Sequence, residues 1–132
     1  SCRRTPDIFK AGFGTELRDY AQVLINGENS DIIVAERDGI ICGMACVDYV
    51  NKPETPFGNA RCFYHVQEIA VDVNHRRQGV AKELLEFMIE DAKKRKLGKI
   101  ELDVWEFNES AIEFYQAVGF RQMRRWLEYE VK

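Results

Sequence analysis

The segment that decides the fold is Val71-Asp-Val-Asn-His-Arg-Arg-Gln-Gly-Val-Ala81. It leaves a strand-like run, crosses a basic turn and enters an amphipathic pattern that predicts a helix over residues 80–96. At such a junction the first backbone N–H groups of the helix have no partner within the helix, and the helix dipole is positive there. The segment therefore predicts a site for a phosphate or pyrophosphate group.

The side chains of this turn suit the same ligand. Gly79 lets the backbone come close to a bound group, and Ala81 keeps the first helical turn small. Arg76 and Arg77 add positive charge, and Gln78 adds a hydrogen-bond donor. The alternative is an ordinary strand-to-helix turn whose arginines are simply solvated.

A second segment, Asn108-Glu-Ser-Ala-Ile-Glu-Phe-Tyr-Gln-Ala-Val-Gly-Phe120, follows about thirty residues later. Together the two segments resemble the GCN5-related N-acetyltransferase (GNAT) superfamily. The run Arg76-Arg-Gln-Gly-Val-Ala81 is similar to the family's acyl-CoA signature, Arg/Gln-x-x-Gly-x-Gly/Ala. The second segment matches the later motif Asn-x-x-Ala-x-x-Phe-Tyr-x-x-x-Gly-Phe at each specified position, and the resemblance extends from Asp31 to the C-terminus.

The resemblance implies acetyl-CoA as co-substrate, with its pyrophosphate on the backbone N–H groups of the turn, from Arg77 through Val80 to Ala81. It also implies that the preceding strand splays at a bulge and pairs with the pantetheine arm through Ile69, Ala70 and Val71. Asn108 would contact the same arm. Asn108 is also well placed to cap the helix that follows, and the two roles are compatible.

The resemblance makes Tyr115 the candidate general acid that returns a proton to the departing CoA thiolate. Ordinary phenol and thiol pKa values differ by only about 1.5 units, so this transfer is feasible. The alternative is a tyrosine that packs in the core beside Phe114.

The general base is left open among residues of the long strand before the turn and one residue of the next strand. His65 and Glu68 rank equally, followed by Asp103 on the next strand, and each could instead be an exposed polar side chain. His65 and Gln67 share a face by the two-residue period, whereas Glu68 points the other way unless a bulge intervenes.

Composition limits the other functions. The chain has 132 residues, 45% hydrophobic content and a formal charge of −3, which predicts one globular domain over residues 1–132 and argues against general nucleic-acid or membrane binding. The N-terminal residues do not resemble a signal peptide, and the four cysteines lack zinc-like spacing, so we expect a cytoplasmic protein with reduced thiols. Only His65 and His75 could supply imidazole ligands, and no metal is expected.

The pattern of apolar residues and turn signals predicts an α/β (α+β) domain with a mixed sheet and helices packed on it. The resemblance implies that this domain has the GNAT fold, with a mixed, mostly antiparallel central sheet flanked by helices. An irregular lead-in over 6–14 replaces the family's usual beginning, so the first strand is expected to be missing or truncated. The predicted elements are a helix over 15–24, a hairpin over 31–36 and 40–49, a strand over 61–73, the helix over 80–96, a strand over 99–105, a helix over 110–118 and a strand over 121–131.

These features lead to the hypothesis of an N-acetyltransferase that moves an acetyl group from acetyl-CoA directly to a primary amine. The acceptor could be a small amine, an aminoglycoside-like cation or a protein N-terminus. The alternative is a non-catalytic acyl-CoA-binding module or subunit. A homodimer is compatible with either function.

Overall fold

The computed structural model describes residues 1–4 and 29–132. The predicted helix over 15–24 and the lead-in over 6–14 lie outside the described residues. The chain divides into two units, residues 1–102 and residues 103–132, which are described separately below.

The first unit contains a five-stranded sheet in which the strands lie side by side in chain order. Neighbouring strands are antiparallel from the first to the fourth, and the fourth and fifth are parallel. This arrangement confirms the mixed, mostly antiparallel sheet. The strands are β1 (Cys2–Arg4), β2 (Ser30–Arg37), β3 (Ile40–Lys52), β4 (Arg61–Val71) and β5 (Ile100–Glu101).

The first strand is expected from the sequence to be missing or truncated, and the structure corrects the first alternative, because a short strand of three residues, β1, is present and pairs with β2. Its register places Cys2 opposite Ala35 and Arg4 opposite Ile33. Two of its three residues are arginines, so the segment has none of the apolar alternation by which strands are predicted. The backbone pairing, which the sequence pattern does not display, makes it a strand.

The predicted hairpin is confirmed, and its turn is tight. Arg37 pairs with Ile40, which leaves a two-residue loop. Both loop residues have positive φ, 52° at Asp38 and 77° at Gly39. This is the type I′ geometry, whose twist matches that of the flanking strands and which favours Asp-Gly.

A bulge interrupts β4 at Gln67. Val47 of β3 pairs with Val66, but the next residue, Cys46, pairs with Glu68, so the register passes over Gln67. Residues opposite one another on neighbouring strands share a face of the sheet, and successive residues of β3 alternate between faces. The bulge therefore brings Glu68 to the face that carries His65.

Helix α1 (Val80–Lys94) packs on the opposite face of the sheet. Its buried apolar residues are Val80, Leu84, Leu85, Met88 and Ala92. Gly43 of β3 allows the start of the helix to approach closely, since a Cβ there would lie only 2.5 Å from Val80 Cγ1. The predicted helix is thus confirmed, although it ends two residues earlier than expected.

A polar network lies beneath this helix. The side chain of Asp91 in α1 is only 7% exposed, and it accepts a 2.9 Å hydrogen bond from the Tyr64 hydroxyl of β4. It also pairs with Arg4 of β1 and with Arg95, which follows the helix. The network therefore ties the first strand and the fourth strand to the helix.

The second unit contains helix α2 (Glu109–Ala117), which confirms the predicted helix. Two strand predictions are corrected. The strand expected over 99–105 is reduced to Ile100–Glu101, and no strand forms over 121–131. Alternating side chains indicate which faces a strand would present, but a strand also needs a hydrogen-bonded neighbour, and residues 121–131 have none among the described residues.

No helix in the described part of the chain has the length and apolar character needed to cross a membrane.

Candidate functional site

Close polar contacts hold the beginning of the turn between β4 and α1. After β4, Val73–His75 form a single turn of 3-10 helix, and His75 Nδ1 lies 2.8 Å from Asp72 Oδ2. The backbone N–H of Asp72 donates to the Cys42 carbonyl of β3 at 2.8 Å. These contacts fix the beginning of the turn against the sheet.

Two residues in the second half of the turn have a left-handed backbone conformation. Arg77 and Gly79 both have positive φ, 63° and 77°. Gly79 is the N-cap of α1, and its carbonyl accepts the first helical hydrogen bond, from Glu83 N at 3.0 Å. No described side chain caps the helix, so the N–H groups of its first turn point outward without partners among the described residues.

The turn also carries two positive charges that no described acidic residue neutralises. Arg76 and Arg77 are exposed and form no ion pair with any described residue. The start of α1 therefore combines N–H groups without described partners, the positive end of the helix dipole and two exposed arginines in the preceding turn. The arrangement fits a doubly charged pyrophosphate.

The end of β4 next to this turn has one open backbone edge. On one side Ile69, Ala70 and Val71 pair with β3. On the other side β5 pairs only with Tyr64 and His65, so no described strand covers the edge of 69–71. An extended ligand with amide groups could pair with this edge as an added strand.

His65 forms a close pair with an acidic residue that the sequence analysis missed. Its Nδ1 lies 2.7 Å from Asp48 Oδ1 on the facing strand, and the two side chains are 33% and 30% exposed. An ionised carboxylate only accepts hydrogen bonds, so Nδ1 donates and Nε2 is left to accept. Asp48 could have been found only from the register, which places it directly opposite His65.

Glu68 and Cys46 are opposite one another on β4 and β3, and they lie on the same face as His65 and Asp48. Glu68 is exposed and makes no hydrogen bond or ion pair with a described residue. Burial, together with the nearby Glu68 charge, raises the pKa of the Cys46 thiol to about 12. The face away from α1 thus carries the oriented imidazole of His65 and the exposed carboxylate of Glu68, while Cys46 is fully buried.

An aromatic and charged group borders His65. The Phe63 and His65 rings meet edge to face with their centroids 6.3 Å apart. The Arg61 guanidinium lies 4.7 Å from the centre of the Phe63 ring and pairs with Glu101 of β5. These contacts support the ring of His65 from the side opposite the bulge.

Asn108 and Tyr115 belong to the second unit. Asn108 is the N-cap of α2, and its Oδ1 accepts a hydrogen bond from Ala111 N at 3.3 Å. The Tyr115 ring contacts Phe114 and Phe120 with centroid separations of 5.4 and 5.5 Å. The capping role of Asn108 is confirmed, while its contact with the cofactor and the role of Tyr115 as an acid stay predictions.

Within the described residues, no group of three histidine, cysteine or acidic side chains is arranged to hold a metal ion.

Among curated proteins, the chain is similar to N-acetyltransferase 8 of Homo sapiens, with 28% identity over 108 residues. It is also similar to the [ribosomal protein bS18]-alanine N-acetyltransferase of Escherichia coli K12, with 39% identity over 54 residues. These matches cover 82% and 41% of this chain but only 46% and 36% of the relatives. The chain therefore matches less than half the length of either relative.

Two solved structures have a similar fold. A tetramutant of the BH1408 protein from Bacillus halodurans has a TM-score of 0.87 at 22% identity and covers 99% of both chains. The aminoglycoside N-acetyltransferase AAC(6')-Iy in complex with CoA has a TM-score of 0.79 at 18% identity, covering 100% of this chain and 99% of the other. At these identities the likeness establishes the fold alone.

The sequence model of the Acetyltransferase (GNAT) family matches residues 3–120, which include both segments singled out in the sequence. This match covers most of the chain and agrees with the bulged strand, the basic turn and the helix that follows it. The chain therefore belongs to the GNAT acetyltransferase family.

Proposed function

We propose that the protein transfers an acetyl group from acetyl-CoA directly to a primary amine. The observation that carries this proposal is the turn from Arg76 to Ala81, where N–H groups without partners among the described residues and two exposed arginines occur together at the start of α1. A pyrophosphate is the part of CoA that such a turn would bind.

The pantetheine arm would extend from this turn along the open edge of β4. There the backbone groups of Ile69, Ala70 and Val71 would pair with its amides, in the manner of an added strand. A backbone N–H of this stretch would also donate to the thioester carbonyl and stabilise the negative charge that develops on its oxygen.

His65 is the best-supported general base. His65 Nδ1 donates to Asp48 Oδ1, which lies 2.7 Å away, and this leaves Nε2 to take a proton from the attacking amine. Asp48 acts here as a positioning residue, because it touches His65 and not the substrate. Glu68, on the same face, is the second candidate and could act directly or through a water molecule.

In the transfer step the neutral amine attacks the thioester carbon, and the C–S bond breaks as the C–N bond forms. The CoA thiolate that departs takes a proton, for which Tyr115 is the proposed donor. The acetylated product and free CoA then leave, His65 releases its proton to solvent, and Tyr115 takes a proton back from solvent, which restores both residues.

A direct route is favoured over an acyl-enzyme. Cys46 is the thiol on the same face as His65, but its pKa of about 12 keeps it protonated near neutral pH. A thiol is a poor nucleophile in that state. Asp48 and Glu68 also place negative charge on this face, which favours an acceptor that arrives as a cation, such as a small amine, an aminoglycoside-like compound or a protein N-terminus.

The first test is calorimetric titration of the protein with acetyl-CoA, beside a Gly79→Glu variant. Gly79 has φ of 77°, and apart from its chain neighbours no described atom lies within 4 Å of the position of its Cβ, so the added side chain would extend into the proposed site. We expect saturable binding by the parent and none by the variant. Absence of binding by a folded parent would contradict the proposal.

A second measurement separates an enzyme from a non-catalytic acyl-CoA-binding module. The release of free CoA is followed with a thiol reagent while a panel of amines is supplied. An enzyme releases CoA only when an amine is present, and Tyr115→Phe slows that release. A binding module would bind acetyl-CoA and release no CoA with any amine.

A further inference from the structure

The side chain of Arg37 reaches from the end of β2 to the turn between β4 and α1. Its Nη2 donates to the backbone carbonyl of Gln78 at 2.9 Å and lies 3.2 Å from Glu83 Oε2. Its Nη1 lies 3.4 Å from the side-chain oxygen of Gln78. One guanidinium thus bridges the turn and the first turn of the helix, although it is 41 residues from Gln78 in sequence.

Arg37 is itself held in place by the hairpin. It pairs with Ile40, and the loop between them is closed by the tight Asp38-Gly39 turn. The arginine therefore extends from a fixed backbone, and its planar fork can hold the carbonyl and the carboxylate together.

Holding the Gln78 carbonyl determines the direction of the next N–H. The peptide unit that joins Gln78 to Gly79 is trans and planar, so its C=O and N–H point in opposite directions. With the carbonyl turned toward Arg37, the Gly79 N–H points away from Arg37.

We infer that Arg37 is a positioning residue that holds the Gln78–Gly79 peptide in the orientation needed to bind the pyrophosphate of CoA. This inference rests on the proposed function, since it concerns the same binding turn. Arg37 does not touch the ligand, and it pairs with Glu83, which also lies 3.0 Å from the N-terminal ammonium of Ser1.

The test compares two ligands that differ in the pyrophosphate. CoA contains it, whereas S-acetylpantetheine ends before it. Arg37→Ala should weaken CoA binding by about tenfold, the size expected for one lost hydrogen bond to a charged group. It should leave the KM for S-acetylpantetheine within about twofold of the parent value, because that ligand makes no use of the turn. Arg37→Lys, which keeps one donor, should recover part of the CoA affinity.

Arg3→Ala is the matched control. Arg3 lies on the same sheet and pairs with Glu36 at 2.9 Å, so its removal takes away one positive charge without touching the turn. We expect it to bind CoA as the parent does. Equal weakening by both variants, equal loss for both ligands, or unchanged CoA affinity in Arg37→Ala would each overturn the inference.

A readout that needs no ligand keeps this test separate from that of the proposed function. The ¹⁵N–¹H order parameter of Gly79, measured by NMR relaxation, should fall in Arg37→Ala and stay unchanged in Arg3→Ala. If the parent fails to bind CoA, the proposed function fails. The positioning of the peptide by Arg37 is then judged by this order parameter alone, and an unchanged value overturns it.

Discussion

At the scale of single residues, the pair Asp48–His65 gives the candidate base an orientation that sequence alone could not provide. His65 could be selected from the sequence because it precedes the binding turn on the same strand. Asp48 could not be selected, since its role depends on the pairing of β3 with β4. The order of the predicted bases therefore changes once the register is known, with His65 ahead of Glu68.

Substitutions on this face test that order. We expect His65→Gln to lower kcat by about 10²–10⁴-fold, the usual contribution of a general base. Asp48→Asn should give a smaller decrease, because the imidazole remains but its orientation is less fixed. Glu90→Gln, an exposed acid on α1, serves as the control and should have no effect. A large decrease in Glu68→Gln with a normal His65→Gln enzyme would reverse the assignment.

The raised pKa values of three weakly acidic side chains predict that the protein loses stability at alkaline pH. Burial raises the pKa of Cys46 from 9.0 to about 12, with a further contribution from Glu68. Burial and the hydrogen bond to Asp31 raise the pKa of Tyr49 from 10.0 to about 12. Burial, followed by the charge of Asp91, also raises the pKa of Tyr64.

Because these pKa values are raised, the folded state holds protons that the unfolded state loses, and the free energy of unfolding must fall as pH rises. The stabilisation is present below about pH 9 and is lost progressively toward pH 12. Urea unfolding between pH 8 and 11 measures this decrease, and Cys46→Ala should make it shallower. A stability that is flat over this range would contradict the prediction.

At the scale of elements, the contact of α1 with β3 depends on Gly43. A Cβ at this position would lie 2.5 Å from Val80 Cγ1 and 3.3 Å from Leu84 Cδ1. The sequence predicted both the strand and the helix, but neither pattern shows that the two approach so closely here.

We expect Gly43→Ala to lower the free energy of unfolding by about 1–3 kcal/mol, the usual cost of overpacking. It should also weaken acetyl-CoA binding, because Val80 is the first residue of α1 and follows directly on the binding turn. In a Val80→Ala background the same substitution should cost less, since the nearest atom is gone. Chemical denaturation of the parent, the two single variants and the double variant measures this coupling. It would be contradicted if the decreases in the free energy of unfolding simply added.

At the scale of the whole molecule, the network around Asp91 joins elements that are distant in sequence. Arg4 lies 87 residues from Asp91, and Tyr64 lies 27 residues from it. Asp31 of β2 belongs to the same network, because Tyr49 donates to it at 2.6 Å and Arg95 lies 3.5 Å away. The Arg95 guanidinium also lies 3.6 Å from the centre of the Tyr49 ring.

Asp91→Ala should therefore lower the free energy of unfolding by about 1–3 kcal/mol, because the Tyr64 hydroxyl loses its buried acceptor. Arg4 and Arg95 are each more than 30% exposed and can turn toward water, which limits the cost. Glu90→Gln removes a pair with Lys93 in which both side chains are largely exposed, so it should change stability by less than about 1 kcal/mol. Thermal and urea unfolding provide the comparison, and equal effects would contradict a structural role for Asp91.

The sequence predicted the middle of this molecule better than its ends. The basic turn, α1 and the hairpin carry local signals such as Asp38-Gly39 and the apolar stripe of α1. The first strand has no such signal, and the alternation over 121–131 is not accompanied by backbone pairing among the described residues. The single domain over residues 1–132 and the homodimer stay predictions.

The bulge at Gln67 has a further consequence for how the chain tolerates substitution. Before it, the side chains that face α1 have even numbers, Tyr64 and Val66, whereas after it they have odd numbers, Ile69 and Val71. In a substitution scan of β4, apolar side chains should therefore be required at even-numbered positions before Gln67 and at odd-numbered positions after it. Deleting one residue here would reverse the orientation of half the strand, and relatives can be expected to vary in amino acid at this point far more readily than in length.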